Sequence, residues 1–325
     1  MDYTHLGRSG VSVSRLCLGT MNFGAFTEPA DAGRIMDRAL EQGINFFDTA
    51  NTYGRPRAEG VTEQIVGDWL RSGGRQRRDR IVLATKLYGG KGEWPNDSFL
   101  SAVNIRRSCE DSLRRLGTDH IDLYQMHHVD RNTPWEEIWE AMGVLRAQGK
   151  IIYAGSSNFA GWHIAQAQEA AVRGGAFGLV SEQSLYNLAA RTVELEVLPA
   201  CQGYGLGVLP WSPLHGGLLA GVLRKEPGAG RSGGGRAADA LAGLRPQVEA
   251  YEAFCADLGA DPAQVGLAWL LHQPAVTAPI VGPSSLGQLD GALRALSVTL
   301  DEAALGRLDE IFPGPGGPAP EAYAW

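Results

Sequence analysis

The sequence predicts an α/β fold of one architecture, a (β/α)₈ TIM barrel with an N-terminal β-hairpin and long loops on its C-terminal face. Three observations carry that expectation. Short β-rich or apolar runs alternate with longer segments of helical period along the whole chain, which is the signature of parallel βα units. The runs number eight: Leu16–Gly19, Asn45–Asp48, Ile81–Lys86, Ile121–His127, Tyr153–Ser156, Val180–Gln183, Val208–Trp211 and Ala278–Val281. No linker divides them into two groups, so a single barrel domain over residues 1–325 is expected rather than two doubly wound domains.

Element by element, Tyr3–Leu6 and Val11–Ser14 flank Gly7-Arg8-Ser9-Gly10 as a hairpin would, and residues 1–15 are expected to cover the bottom of the barrel. Pro29–Glu41 puts Ile35, Ala39 and Leu40 on one helical face, and Ser101–Leu116 repeats Ile105, Cys109, Ser112, Leu113 and Leu116. Thr133-Pro134-Trp135-Glu136 reads as a capped start, with Thr133 as cap, Pro134 at the first helical position and Glu136 closing a capping box. Asp261-Pro262 opens a later helix in a similar way. Two stretches break the alternation. Pro227–Arg236, rich in Gly and Arg, reads as a long loop after the seventh strand, and Pro313–Pro320 opens a Pro/Gly-rich tail, 313–325. Tyr323 and Trp325 leave open whether that tail folds over the mouth or packs on a neighbouring subunit.

Composition excludes several function classes. The formal net charge of −7 offers no basic footprint for nucleic acid or an anionic membrane. Met1–His5 lacks the basic start and apolar run of a signal peptide, and no apolar stretch reaches the roughly 18–20 residues of a membrane span. The cysteines Cys17, Cys109, Cys201 and Cys255 form no C-x-x-C pair and read as reduced packing thiols. A cytoplasmic protein is expected.

Gly228-Ala229-Gly230-Arg231-Ser232-Gly233 matches the dinucleotide fingerprint G-x-G-x-x-G. That fingerprint works only where a strand leads in and a helix leads out, so that the helix N-terminus meets the pyrophosphate. Here Lys225-Glu226-Pro227 precedes it, which is no strand. A loop that closes over a phosphate and a plain solvated loop both remain open.

The polar residues at strand ends are more informative, because barrel chemistry gathers where the C-terminal ends of the strands converge. Asp48 ends the second strand, Lys86 the third and His127 the fourth, and Tyr53 follows Asp48 by five residues. Singly, each reads as a turn residue, a solvated lysine or a core histidine. Together they suit carbonyl reduction. Hydride addition to a carbonyl makes an alkoxide that must be protonated, and tyrosine, with an ordinary pKa of about 10, needs help to do it. Lys86 is expected to stabilise the phenolate and lower that pKa, Asp48 to hold Lys86, and His127 to donate to the carbonyl oxygen. His127, His128 and Asp130 do not read as a metal site, since neighbours on a strand face opposite ways and no H-x-H pair lies on an earlier strand.

The segments Leu18-Gly19-Thr20-Met21-Asn22-Phe23-Gly24, Phe47–Gly54, Ala84-Thr85-Lys86 and Leu123–His127 resemble the aldo-keto reductase superfamily. So do Gly155–Phe159, Gln183–Asn187, Trp211–Leu214 and Pro279–Gly282, in order along essentially the whole chain. The nearest branch holds potassium-channel β subunits, bacterial glyceraldehyde-phosphate reductases and nucleotide-sugar reductases. The resemblance implies a catalytic tetrad of Asp48, Tyr53, Lys86 and His127. It implies that Ser157, Asn158 and Gln183 bond a nicotinamide carboxamide, that Trp211 stacks on the ring, and that Ser212 and Leu214 line the pyrophosphate path. Gly19, Thr20 and Met21 would border the cofactor, with Gly282, Ser284 and Gln288 at its adenosine end. NADPH is the implied cofactor. Ser284 stands where many relatives carry Arg or Lys for the 2′-phosphate, so NADH use stays open, and Arg231 or Arg236 is a candidate replacement.

The implied activity is reduction of an aldehyde or ketone, with Tyr88, Trp94 and His128 shaping the pocket for a small or aryl aldehyde or a nucleotide-linked ketosugar. The alternative is a cofactor-binding, redox-sensing subunit with slow turnover. By analogy alone, a homo-oligomer is left open.

Overall fold

The computed structural model describes residues 1–55, 59–90, 92–224 and 236–319, with Arg236 described by its backbone only. The loop expected over Pro227–Arg236, with Arg231 and its G-x-G-x-x-G match, therefore falls outside the described residues but for the backbone of Arg236. So do Tyr323 and Trp325 of the tail.

All eight expected runs are strands of one parallel sheet. In chain order they are β3 (Cys17–Gly19), β4 (Phe46–Asp48), β5 (Val82–Leu87), β6 (Ile121–Met126), β7 (Ile151–Ser157), β8 (Leu179–Leu185), β9 (Gly207–Trp211) and β10 (Ile280–Val281). They pair in the order β10-β3-β4-β5-β6-β7-β8-β9. A parallel bridge between Val208 and Val276 brings the chain before β10 against β9 and nearly closes the barrel. Two bonds hold that seam, Val208 N–H to the Ala275 carbonyl at 3.2 Å and Thr277 N–H to the Val208 carbonyl at 2.9 Å.

Strand alternation sorts the apolar side chains into two layers. Cys17, Phe46, Val82, Leu123 and Leu209 fill the inside of the barrel. Their neighbours Leu18, Phe47, Leu83 and Tyr124 face outward to the helices, against residues such as Ile35, Ile105 and Ile164. These come from α1 (Pro29–Glu41), α3 (Ala102–Leu116) and α5 (Gly161–Arg173). The hairpin of β1 (Tyr3–His5) and β2 (Ser12–Ser14) adds Leu6 and Val13 to the inner cluster. Its Gly7 has φ +54°, and a Cβ there would stand 2.4 Å from the Val180 carbonyl oxygen, so only glycine fits.

Helix starts test the capping expectations. Ser101 caps α3 by accepting the Asn104 N–H, and Asp261 caps α8 (Pro262–His272) by accepting that of Ala263. The expectation at Thr133 was wrong. Helix α4 (Trp135–Ala147) starts after Pro134, and no side chain caps it. The Thr133 hydroxyl instead donates to Asp130 Oδ2 at 2.7 Å, while the same carboxylate accepts the Asn132 N–H at 2.9 Å and the Leu100 N–H at 3.1 Å. A carboxylate three residues upstream is the stronger acceptor and draws the threonine into its own turn. Among the described residues no helix is long and apolar enough to cross a membrane.

Candidate active site

Parallel pairing puts the ends of neighbouring strands on one rim. Gly19 lies beside Asp48, Lys86 beside Gln125, and Ser157 beside Gln183. Lys86 points inward from β5 and is fully buried. An ammonium has three N–H donors, and all three have acceptors here. They are Asp48 Oδ2 at 2.5 Å, the Thr49 carbonyl at 3.0 Å and the Tyr53 hydroxyl at 3.2 Å. The remaining oxygen of Asp48, Oδ1, accepts from Gln125 Nε2 at 2.9 Å and Gln183 Nε2 at 3.0 Å. This buried ion pair is thus fully bonded, the condition under which such a pair is tolerated.

His127 directly follows β6, and its N–H extends the ladder to the Leu87 carbonyl at 2.8 Å. Its ring stands edge-on to Tyr53, with centroids 5.9 Å apart. His128 turns the other way, as alternation requires, onto Tyr88 at 5.4 Å. The structure therefore brings Asp48, Tyr53, Lys86 and His127 together and separates the two histidines.

The protonation expected of Tyr53 needs correction. Burial pushes its pKa up, Lys86 by charge and hydrogen bond pulls it down, and burial wins, leaving the hydroxyl above its ordinary value. Lys86 shows the opposite balance. Burial lowers its pKa, but the charges of Asp48 and Tyr53 and its bonds to both more than offset that, so the ammonium is held above its ordinary value. The pair at rest is a charged lysine beside a protonated tyrosine, which is the form a proton donor needs.

Around this centre, Asn158 adopts φ +60° and ties three strand ends together. Its Nδ2 donates to the His127 carbonyl at 3.1 Å and to Ser157 Oγ at 3.0 Å, and its Oδ1 accepts from Trp211 Nε1 at 3.0 Å. Ser157 Oγ in turn donates to the Gln183 carbonyl at 2.9 Å. Gln183 uses its amide donors on Asp48 and, at 3.2 Å, on Gln125 Oε1. Ser212, at φ +53°, receives Asn187 Nδ2 on its carbonyl at 2.9 Å. Both the N–H and the hydroxyl of Thr20 go to the Asp48 carbonyl, at 3.0 and 2.9 Å. Gly19 lies against β10, where a Cβ would meet Ile280 Cγ2 at 2.6 Å, and Met21 is exposed. Leu214 packs beneath, within 3.1 Å of where a Cβ on Gly266 would stand. The Gly282 carbonyl accepts Asn22 Nδ2 at 2.6 Å. Gln288 Oε1 accepts both the N–H and the hydroxyl of Ser284, at 2.8 and 3.1 Å.

Tyr88 also meets Phe99 edge-on at 5.3 Å. Trp94 is 80% exposed, with its backbone N–H on Asp97, and does not join that aromatic group. Sequence reasoning missed Gln125, a lone polar side chain at an inward strand position that braces Asp48. It also missed Glu182. This β8 carboxyl is fully buried, and burial pushes its pKa up to about 7 against the bonds from Ser156, Ser184 and the Phe159 and Asn158 amides. The titratable group that registers its charge from the facing helix α6 (Val197–Tyr204) is the Cys201 thiol.

The folded chain therefore binds a proton at Glu182 between its ordinary value of 4.5 and about 7 that the unfolded chain releases, so stability falls as pH rises through that window. Glu182→Gln is expected to remove about 3 kcal/mol of that fall, read from denaturant unfolding of both proteins at pH 5 and pH 8. Among the described residues no group of three His, Cys, Asp or Glu side chains could hold a metal ion.

Comparison with known proteins identifies the family. The family model described as the aldo/keto reductase family matches residues 15–312. The chain is 53% identical to the uncharacterized oxidoreductase YrpG of Bacillus subtilis, over the full length of both. It is 34% identical to a probable voltage-gated potassium channel subunit beta of Oryza sativa subsp. japonica, covering 92% of each chain. A putative aryl-alcohol dehydrogenase of Schizosaccharomyces pombe shares 32% identity over 95% of each.

Proposed function

The chain belongs to the aldo/keto reductase family and is an NAD(P)H-dependent oxidoreductase; on that premise we propose that it reduces an aldehyde or ketone to an alcohol, with Tyr53 as the general acid. The observation that supports this most is the single ammonium bonded at once to a buried carboxylate and to a tyrosine hydroxyl at the barrel mouth.

When bound, a nicotinamide cofactor would supply the hydride that the reduction needs. Ser157, Asn158 and Gln183 would hold its carboxamide, and the Trp211 indole would face its ring. The remaining work falls to the chain's own side chains. His127 donates a hydrogen bond to the substrate oxygen and fixes its direction. Tyr53 gives its proton to that oxygen as negative charge develops. Lys86 faces the resulting phenolate, and Asp48, braced by Gln125 and Gln183, keeps the ammonium charged and in place.

NADPH is the proposed reductant, with a narrow margin over NADH, because Ser284 offers no charge and its N–H and hydroxyl already bond Gln288. Ser284→Arg is expected to raise the NADPH-to-NADH ratio of kcat/KM about tenfold, the gain of one charge-assisted hydrogen bond. An unchanged ratio would remove this position from the 2′-phosphate site.

For the substrate we favour an aryl aldehyde, since Tyr88, Phe99 and His128 form an aromatic group on the rim just past the ends of β5 and β6 and one relative is named for aryl alcohols. A panel of aryl aldehydes, small aldehydes and nucleotide-linked ketosugars, followed by NADPH absorbance, tests it. Faster turnover of the aryl members is expected. A preference for the ketosugars would overturn the substrate reading while keeping the reductase. The likeness to a channel β subunit supports a second reading, a redox-sensing subunit. Tight cofactor retention with slow turnover of every panel member would favour it.

A further inference from the structure

We propose that Glu182 is a positioning residue for the nicotinamide end of the site, acting through the Asn158–Phe159 turn. The inference rests on the reading above, in which Asn158 and Trp211 receive the nicotinamide.

Glu182 lies outside the barrel wall, away from the reacting atoms. Its Oε1 accepts the Phe159 N–H at 3.0 Å and the Ser184 hydroxyl at 2.7 Å, and its Oε2 accepts the Ser156 hydroxyl. The Phe159 amide immediately follows Asn158, whose positive φ asparagine tolerates better than most residues but which marks a sharp turn of the chain. The Asn158 N–H goes to the Gln183 carbonyl at 3.0 Å and the Ala160 N–H, at the start of helix α5, to His163 Nδ1 at 3.3 Å, and something must hold the Phe159 N–H between them. The buried carboxylate does so. With the turn fixed, the Asn158 amide is aimed at the His127 carbonyl and at the Trp211 indole. One carboxylate behind β8 thus sets the ends of β6, β7 and β9 where a catalytic carbonyl-binding histidine and a stacking tryptophan begin.

A buried carboxyl is expensive unless it does something an apolar side chain cannot. Packing alone would be served by leucine, but leucine would leave the Phe159 N–H buried without an acceptor. The Ser156 hydroxyl can donate to Glu182 or, at 3.3 Å, to the Ser181 carbonyl, so protonating the carboxyl leaves Oε1 on the Phe159 N–H. The reach of the side chain matters for the turn more than its charge does.

Two variants separate reach from charge. Glu182→Gln keeps an oxygen at the Phe159 N–H, and Glu182→Asp keeps the charge but withdraws it by one methylene. NADPH dissociation constants from fluorescence titration, kcat at saturating NADPH, and thermal melts are measured for both and for the wild type. Glu182→Asp is expected to weaken NADPH binding about tenfold with kcat within about threefold, and Glu182→Gln to restore binding to within about threefold of wild type. If both variants bind NADPH as the wild type does, or if both lower kcat without moving the dissociation constant, the positioning role is overturned. A wild type that binds neither NADPH nor NADH would instead bring down the functional reading itself, and this inference with it.

Discussion

Tyr53→Phe is expected to lower kcat/KM for carbonyl reduction by about 10³-fold, within the range that a positioned general acid contributes. The loss should fall on kcat, because the hydroxyl is needed as the alkoxide forms and not for substrate or cofactor to bind. Unfolding stability should change little. The ring that meets His127 edge-on is kept, and Lys86 retains two of its three acceptors, Asp48 and the Thr49 carbonyl. Steady-state NADPH oxidation with both proteins, alongside NADPH titration, checks this. The raised pKa of Tyr53 adds a pH signature: reduction should not decline on its account until pH passes about 10, whereas alcohol oxidation, which needs the phenolate, should still be rising there.

Lys86→Met is expected to have the largest combined effect. It removes the ammonium from both the phenolate and the carboxylate, leaving Asp48 buried with only amide donors from Gln125 and Gln183. Breaking one side of a buried pair typically costs about 3–5 kcal/mol, because the other charge stays without its partner. Activity should fall at least as far as in Tyr53→Phe. The double variant Lys86→Met with Asp48→Leu removes both charges, and it should recover much of the stability and none of the activity. Denaturant unfolding and turnover of the three proteins separate the two roles of the pair. A single variant as stable as the wild type would mean that the ion pair contributes nothing to the fold.

How much of this was legible in the sequence follows from which interactions are local. The eight strands could be read because each parallel strand is buried on both faces and shows as a compact apolar run between helical periods. Asp48, Lys86 and His127 could be read because a charged or imidazole side chain ending such a run has no apolar reason to be there. Gln125 could not, since a single amide on an inward position looks the same whether it braces a carboxylate or faces solvent. Glu182 was hidden for a related reason. Its partners Ser156 and Phe159 lie more than twenty residues away, and only the pairing of β7 with β8 brings them together. The failed cap at Thr133 was a local competition with Asp130 in which the nearest pattern was preferred to the strongest acceptor. The direction of the Tyr53 shift depended on weighing burial against a charge at 3.2 Å, and burial is a property of the assembled barrel.

The most direct test of the central claim, that Lys86 and Tyr53 form a proton-donating pair for carbonyl reduction, is a single-turnover measurement. Enzyme saturated with NADPH is mixed with an aryl aldehyde, and nicotinamide oxidation is followed in the wild type and in Tyr53→Phe. The predicted result is one equivalent of NADPH oxidised in the wild type, about 10³-fold more slowly in the variant, with equal NADPH affinity in both. Equal single-turnover rates in the two proteins would contradict the account.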